Sequence, residues 1–245
     1  MVTVNKTRKL RHNLKVAILF SGRIKGYKHV MDHLSELKQM YNPVFFCSLN
    51  KKGLSPYIQD FCKFLRIERP QLHLEPTVVP EYVKKIVEHP YNRRYNVYSV
   101  LYHNKKVLEL VEKYQIAHKM QFDVILLYRA DLFPDPGNML NLVKPVANTV
   151  YIPAGDESII HPKKWPRKYG INSMMAYGDY PSMEKYCSAV DNIATLSKES
   201  DVAIHHEGII QYNIMYTGLK VKRFVYNTNL HPSRHNNLKE YNNYE

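Results

Sequence analysis

Cysteine is scarce in this chain of 245 residues: Cys47, Cys62 and Cys187 are all it has. An odd number without framework spacing excludes a disulfide scaffold, and reduced thiols in a cytoplasmic setting are the expectation. Long apolar runs are missing too. No stretch reaches the ~18 residues needed to span a bilayer, and the basic N-terminus lacks the apolar core of a secretory signal. There is no GxGxxG after a strand, no P-loop, no zinc-finger spacing, no Ser–His–Asp order and no setting for a cysteine nucleophile. Dinucleotide-dependent, kinase and hydrolase readings are disfavoured accordingly.

What remains is basic and rich in tyrosine. The formal net charge is +13, which draws anions: nucleotide phosphates, nucleic acid or an anionic membrane surface. The basic residues are dispersed apart from clusters at 6–15 and 163–168, so no specific nucleic-acid partner is expected. A hydrophobic content of 44% supports a real core, and the length suits one α/β domain of ordinary size. The 20 tyrosines combine a stacking face with a hydroxyl, which suits a site gripping sugars or bases, or equally a half-polar core.

Along the chain, buried-strand composition recurs at 15–20, 43–49, 72–74, 124–128, 149–153 and 220–225. Helical spacing appears at 27–40, 57–65, 97–115, 182–190 and 204–216, and a short helical element is expected to begin at 172–176. Alternating strands and helices predict a mainly parallel central sheet flanked by helices. Residues 1–14 read as a loose basic arm, 15–230 as one domain and 231–245 as a polar tail.

Charged and polar groups gather where these strands end, the place at which open α/β sheets build ligand sites. Ser21, Gly22 and Arg23 follow the first strand, either as a phosphate- or base-binding turn or as a plain strand-to-helix turn. Arg129 and Asp131 follow the strand at 124–128. The arginine can neutralise a phosphate and the carboxylate can hold a divalent ion or a sugar hydroxyl; a surface ion pair is the alternative. Asp135 fits an ordinary Asp-Pro-Gly turn. Asp156 and Glu157 follow the next strand, where a carboxylate can act as general base or merely face solvent. His205 and His206 are adjacent, which disfavours zincin-type ligation, but one can complete a metal or phosphate site, or the pair simply opens a helix. Glu207 suits a helix N-terminus. His231 is a further isolated candidate.

Taken together, these blocks resemble one family. Residues 16–23 (VAILFSGR) are similar to the opening strand and turn of a group of GT-A-like glycosyltransferases of bacteria and large DNA viruses. Residues 122–133 resemble that group's YDVVIRxRPDL strand, with Arg129 and Asp131 at matching positions. Residues 150–153 look like its next strand, and 170–178, followed by Met183 and Tyr186, are similar to its GINDQFAYG…M…Y block. His206 and Glu207, with the helix to Tyr216, resemble its closing PE…L…YL segment. Order and spacing agree over residues 15–226.

The resemblance implies a Rossmann-like GT-A architecture and a nucleotide-sugar-dependent transferase, with Mn²⁺ or Mg²⁺ bridging the donor diphosphate. The donor would be a UDP- or GDP-sugar and the acceptor a glycan or glycoprotein. Phe20, Ser21, Gly22 and Arg23 would line the base and ribose. Arg129, Asp131 and Asn172 would complete the donor site, with Asp131 and His206 at any metal. Asp156, Glu157 or Glu207 would take the acceptor's proton. Two departures stand out. Arg129 replaces the first acid of the Asp-x-Asp pair, and an arginine itself supplies positive charge. Ser173 replaces the acid of GIND, so the base must come from elsewhere. The rival expectations are a basic, non-catalytic nucleic-acid- or membrane-binding domain and a degenerate transferase scaffold.

Overall fold

The sheet starts from β1 (Val16–Gly22), an apolar run whose alternate side chains enter two different layers. Val16, Ile18 and Phe20 face one layer, while Ala17 and Leu19 face the other, as the two-residue period of a strand requires. A strand covered on both sides has no polar face, and hence its sequence is a continuous apolar run. The computed structural model describes residues 14–22, 24, 27–51, 54–86, 94–129, 132–134, 140–154, 171–199, 206–226 and 228–230. The expected arm and tail lie outside them, apart from Leu14.

Helix α1 (Met31–Tyr41) returns the chain to β2 (Val44–Leu49), which pairs parallel with β1. Asn42 ends the helix in the left-handed region at φ 42°, its N–H bonded to the Lys38 carbonyl. Helix α2 (Pro56–Leu65) leads to β3 (Leu72–Leu74), parallel to β2. The short α3 (Glu81–Lys84) and the 24-residue α4 (Arg94–Ala117) follow, then β4 (Val124–Tyr128), parallel to β1 on its other side. Helices α1 and α2 cover the Phe20 layer through Leu34, Leu37, Ile58 and Phe61, whereas α4 covers the Leu19 layer through Leu101, Val107, Leu108 and Val111.

After β4 come β5 (Leu132–Pro134), β6 (Thr149–Pro153) and β7 (Met175–Gly178). Helices α5 (Tyr180–Cys187), α6 (Ala189–Glu199) and α7 (His206–Tyr216) precede β8 (Lys220–Phe224) and β9 (Thr228–Leu230). The central sheet has the order β3-β2-β1-β4-β7-β6-β8, and β5 pairs with β9 in a separate ribbon. Four of its six strand pairings are parallel; β7 alone runs against both neighbours. The α/β architecture with a mainly parallel sheet flanked by helices is therefore the observed one.

Two local expectations need correcting. Residues 175–178 are a strand, not the start of a helix. Met175, Ala176, Tyr177 and Gly178 are all buried and bridge β4 and β6, whose facing backbone groups would otherwise be unpaired. The helical stretch expected at 182–190 is two helices that continue to Glu199, broken at Ser188. Asp179 caps the first by accepting the Ser182 N–H at 3.0 Å.

Candidate active site

Strand order sets where the site lies. From β1 the chain moves outward through β2 and β3, then crosses back to β4 on the opposite side of β1. Such a switch point leaves a crevice at the carboxyl ends of the two central strands. A cavity of about 450 Å³ opens there, on the α4 face of the sheet. Ser21 and Gly22 from β1, Asn50 past β2, and Leu127 and Arg129 from β4 form its floor. Alternation explains the set: Ser21 continues the Ala17–Leu19 face and Arg129 continues the Ile125–Leu127 face. Gly22 sits at φ 81°, a backbone conformation that a side chain would strain.

One wall comes from α4, with Tyr95, Asn96, Ser99 and Asn104 lining the cavity. Asn104 is buried, and its Oδ1 accepts a short hydrogen bond from the Ser21 hydroxyl. Asn50 donates from Nδ2 to the Tyr95 hydroxyl and to Ser99 Oγ, each at 2.9 Å. This wall is neutral and rich in amides and hydroxyls, the chemistry that reads sugar hydroxyls and base edges.

The opposite side comes from Ser173 and from His206 and Glu207 at the start of α7. Ser173 Oγ donates to Glu207 Oε1 at 3.3 Å, and His206 Nδ1 lies 3.0 Å from the same hydroxyl. With the serine proton directed to the carboxylate, the ring proton of a neutral His206 belongs on Nδ1. Among the described lining residues Arg129 is the cation and Glu207 the carboxylate. The Tyr186 hydroxyl nearby is pushed well up, first by burial, then by Cys187 and the Glu207 charge.

The site thus brings together Ser21, Gly22, Arg129, His206 and Glu207 of the expected residues. Phe20 is not among them. It is fully buried in the other layer, edge-on to Phe61 and Tyr128, and serves the core instead of a base or ribose. Asn172 is also buried, with Oδ1 accepting the Met174 N–H at 3.0 Å, and it shapes the turn that presents Ser173. Arg23, Asp131, Asp135, Asp156, Glu157, His205 and His231 lie outside the described residues. The α4 wall and Asn50 were not foreseen. Their available signal was polar Ser99, His103 and Asn104 interrupting the buried stripe of an otherwise apolar helix face.

The described residues do not fit a divalent-ion site. No group of three or more acidic, histidine or cysteine side chains converges among them, whereas hard cations take six or more oxygens. The three cysteines are buried and free, and burial raises each thiol, Cys187 to about 12, so none is a ready nucleophile. No described helix is long and apolar enough to cross a membrane.

No protein-family model matches the chain, and no curated protein does. Among solved structures it is similar to the galactosyltransferase LgtC in complex with donor and acceptor sugar analogs. That match has a TM-score of 0.44 and 12% identity, over 85% of this chain and 72% of that one. It is also similar to an active-site mutant of LgtC, with a TM-score of 0.42 and 9% identity over the same shares. A third similar structure is the bifunctional glycosyltransferase WbbM in its apo form, with a TM-score of 0.42 and 13% identity, over 86% of this chain and 39% of that one.

Proposed function

We propose that the chain is a glycosyltransferase that moves a sugar from a nucleoside-diphosphate donor to a glycan or glycoprotein acceptor. The observation that carries this reading is the makeup of the crevice at the β1–β4 switch point. A cation at the end of β4 faces a neutral amide and hydroxyl wall, with Glu207 the carboxylate among the described residues on the far side. The motif resemblance in the sequence, which runs through both β1 and β4, supports it independently.

In this reading Arg129 meets the donor diphosphate and stabilises the charge that builds on it as the glycosidic bond to the donor breaks. Ser21 and Gly22 let the nucleotide approach the β1 backbone closely. Asn50, Ser99 and Asn104 fix the orientation of the donor's hydroxyls or base. Glu207 takes the proton of the acceptor hydroxyl. Asp131 is assigned to the diphosphate, and Asp156 and Glu157 to the acceptor side, on the resemblance alone. Any Mn²⁺ or Mg²⁺ would depend on Asp131, and no step above passes through a metal.

A thermal-shift series with UDP, GDP and their sugar conjugates, with and without Mn²⁺, tests the reading. A ligand at a hundredfold excess over its Kd stabilises the native state by about 2.7 kcal/mol. At least one nucleotide sugar is expected to raise the melting temperature, and more than its free sugar does. Indifference to every nucleoside diphosphate, coupled to salt-sensitive binding of DNA or anionic vesicles, would favour the non-catalytic rival.

A further inference from the structure

Behind the α4 wall, a chain of polar side chains continues inward from Asn50 and Ser99 through groups that the proposed chemistry does not use. It runs from the pocket, through the core, to the surface beyond β3. The Thr77 backbone N–H donates to Asn50 Oδ1 at 2.9 Å. A backbone N–H can only donate, so this contact fixes the amide and points its NH₂ at Tyr95 and Ser99. Ser99 Oγ lies 2.9 Å from Thr77 Oγ1, which lies 3.0 Å from His103 Nε2. His103 Nδ1 is 2.8 Å from Ser48 Oγ, and Ser48 Oγ is 2.9 Å from His73 Nδ1. His73 Nε2 faces Glu75 Oε2 at 3.3 Å. Ser48 and His103 are wholly buried, while Glu75 is open to solvent.

Each hydroxyl has one proton to give and a neutral imidazole has one N–H, so orienting one member orients all. A carboxylate attracts an N–H, which places the proton of neutral His73 on Nε2 and leaves Nδ1 to accept. Ser48 must then donate to His73, His103 must donate from Nδ1 to Ser48, Thr77 must donate to His103 Nε2, and Ser99 must donate to Thr77. Ser99 is left with only a lone pair for the pocket.

We propose that these groups act as one directed hydrogen-bond relay, in which the charge on His73 decides whether Ser99 meets a pocket ligand as acceptor or as donor. The reversal balances with one added proton. Each bridging proton shifts by one atom toward His73, and Ser99 takes a new proton from pocket water. His73 then carries a proton on both nitrogens, His103 carries its own on Nε2, and the Ser99 hydroxyl points a donor into the cavity. Burial, then the His73 charge, lowers His103 to about 4, so it stays the neutral member that holds one proton on either nitrogen. The groups facing His73 are Ser48 from β2, Tyr102 and His103 from α4, and Glu75 from its own strand end. Lys106, over the Tyr102 ring, feels the Glu75 charge as well. As a statement about recognition the proposal rests on the pocket being the donor site; the relay itself does not.

Long-range ¹H–¹⁵N NMR of the histidine rings, on the full chain without ligand, tests the relay between pH 8 and pH 5. His103 is expected to hold its proton on Nδ1 at high pH and on Nε2 once His73 is charged, both changes sharing one midpoint. Glu75→Gln is expected to move that shared midpoint to lower pH. A His103 ring that keeps the same protonated nitrogen while His73 titrates overturns the relay. So does a Glu75→Gln variant in which only His73 moves. The pocket end is read with UDP-glucose as probe: its Kd is expected to change across the same pH step in the wild type and to lose that change in Ser99→Ala. A pH response identical in both proteins removes Ser99 as the output. Because the ring spectra need no ligand, the relay stands or falls on them, whereas a failure of UDP-glucose and of every other UDP- and GDP-sugar to bind counts against the glycosyltransferase reading alone.

Discussion

Ser173 hands its hydroxyl proton to Glu207 Oε1 across 3.3 Å, joining the coil before β7 to the first turn of α7. Ser173 stands where the resembled family has an acid. The serine hydroxyl instead binds the Glu207 carboxylate, whose charge lies at the favourable end of a helix dipole.

If Glu207 is the base, Glu207→Gln keeps the shape and the Ser173 hydrogen bond while removing the proton acceptor. The expected result is a fall in kcat of roughly 10²-fold or more, with donor Kd unchanged. Steady-state kinetics alongside calorimetric titration of the donor checks it. An unaltered kcat would transfer the role to Asp156 or Glu157.

Arg129→Ala removes the cation from the pocket floor. A hydrogen bond to a charged group is worth about 1.5–3 kcal/mol, so donor Kd is expected to rise by roughly ten- to a hundredfold. Arg129→Lys should recover part of this, because a lysine restores the charge without the bidentate fork. Equal affinity in all three proteins would place the diphosphate elsewhere.

Phe20→Ala separates core from site. Phe20 has no exposed surface and touches Phe61 and Tyr128, so truncation is expected to cost about 3–5 kcal/mol of stability. Measured at a temperature where the variant is folded, donor Kd should stay near the wild-type value. A stable variant with weakened binding would return Phe20 to the site.

Legibility followed burial. β1, β2 and β4 are covered on both faces, so their sequences are contiguous apolar runs and their ends are easy to place; the cavity-lining Ser21, Gly22 and Arg129 follow from those ends. β7 was hidden because its Met175 and Ala176 also suit helices, and the gap between β4 and β6 decides their conformation. The α4 wall was hidden for a different reason. Ser99, His103 and Asn104 look like defects in an amphipathic stripe until Asn50, Thr77, Ser48 and Ser21 arrive from distant segments to satisfy them.

Acid titration should expose the buried His103. Its folded pKa is lowered from 6.5 to about 4, so between those values the unfolded chain binds the extra proton more readily. Stability from this source is complete above about pH 6.5 and declines as pH falls toward 4. His33, lowered first by burial, adds a dependence of the same sign below about pH 6.5. Chemical denaturation at pH 7.5 and pH 5 should show a smaller loss in His103→Gln than in the wild type; parallel losses would mean that His103 contributes nothing to the dependence.

A close approach makes the last prediction. A Cβ on Gly178 would lie 3.2 Å from both the Thr149 carbonyl oxygen and Ser182 Cβ. Gly178→Ala is expected to destabilise the fold by about 1–3 kcal/mol, the cost of overpacking a tight interior, as read from the denaturation midpoint. A variant as stable as the wild type would show that the β6–α5 junction yields easily.

The reversed strand β7 has a consequence for what meets at the pocket. Because β7 runs against its neighbours, β6 finishes and β7 begins at the same end of the sheet, the end where the crevice opens. Pro153 at the end of β6 and Met175 at the start of β7 are therefore both held at that rim, by pairing with Phe224 and Tyr128 respectively. The reversal thus brings a strand beginning, with its buried Met175, to an end of the sheet where the parallel strands only finish.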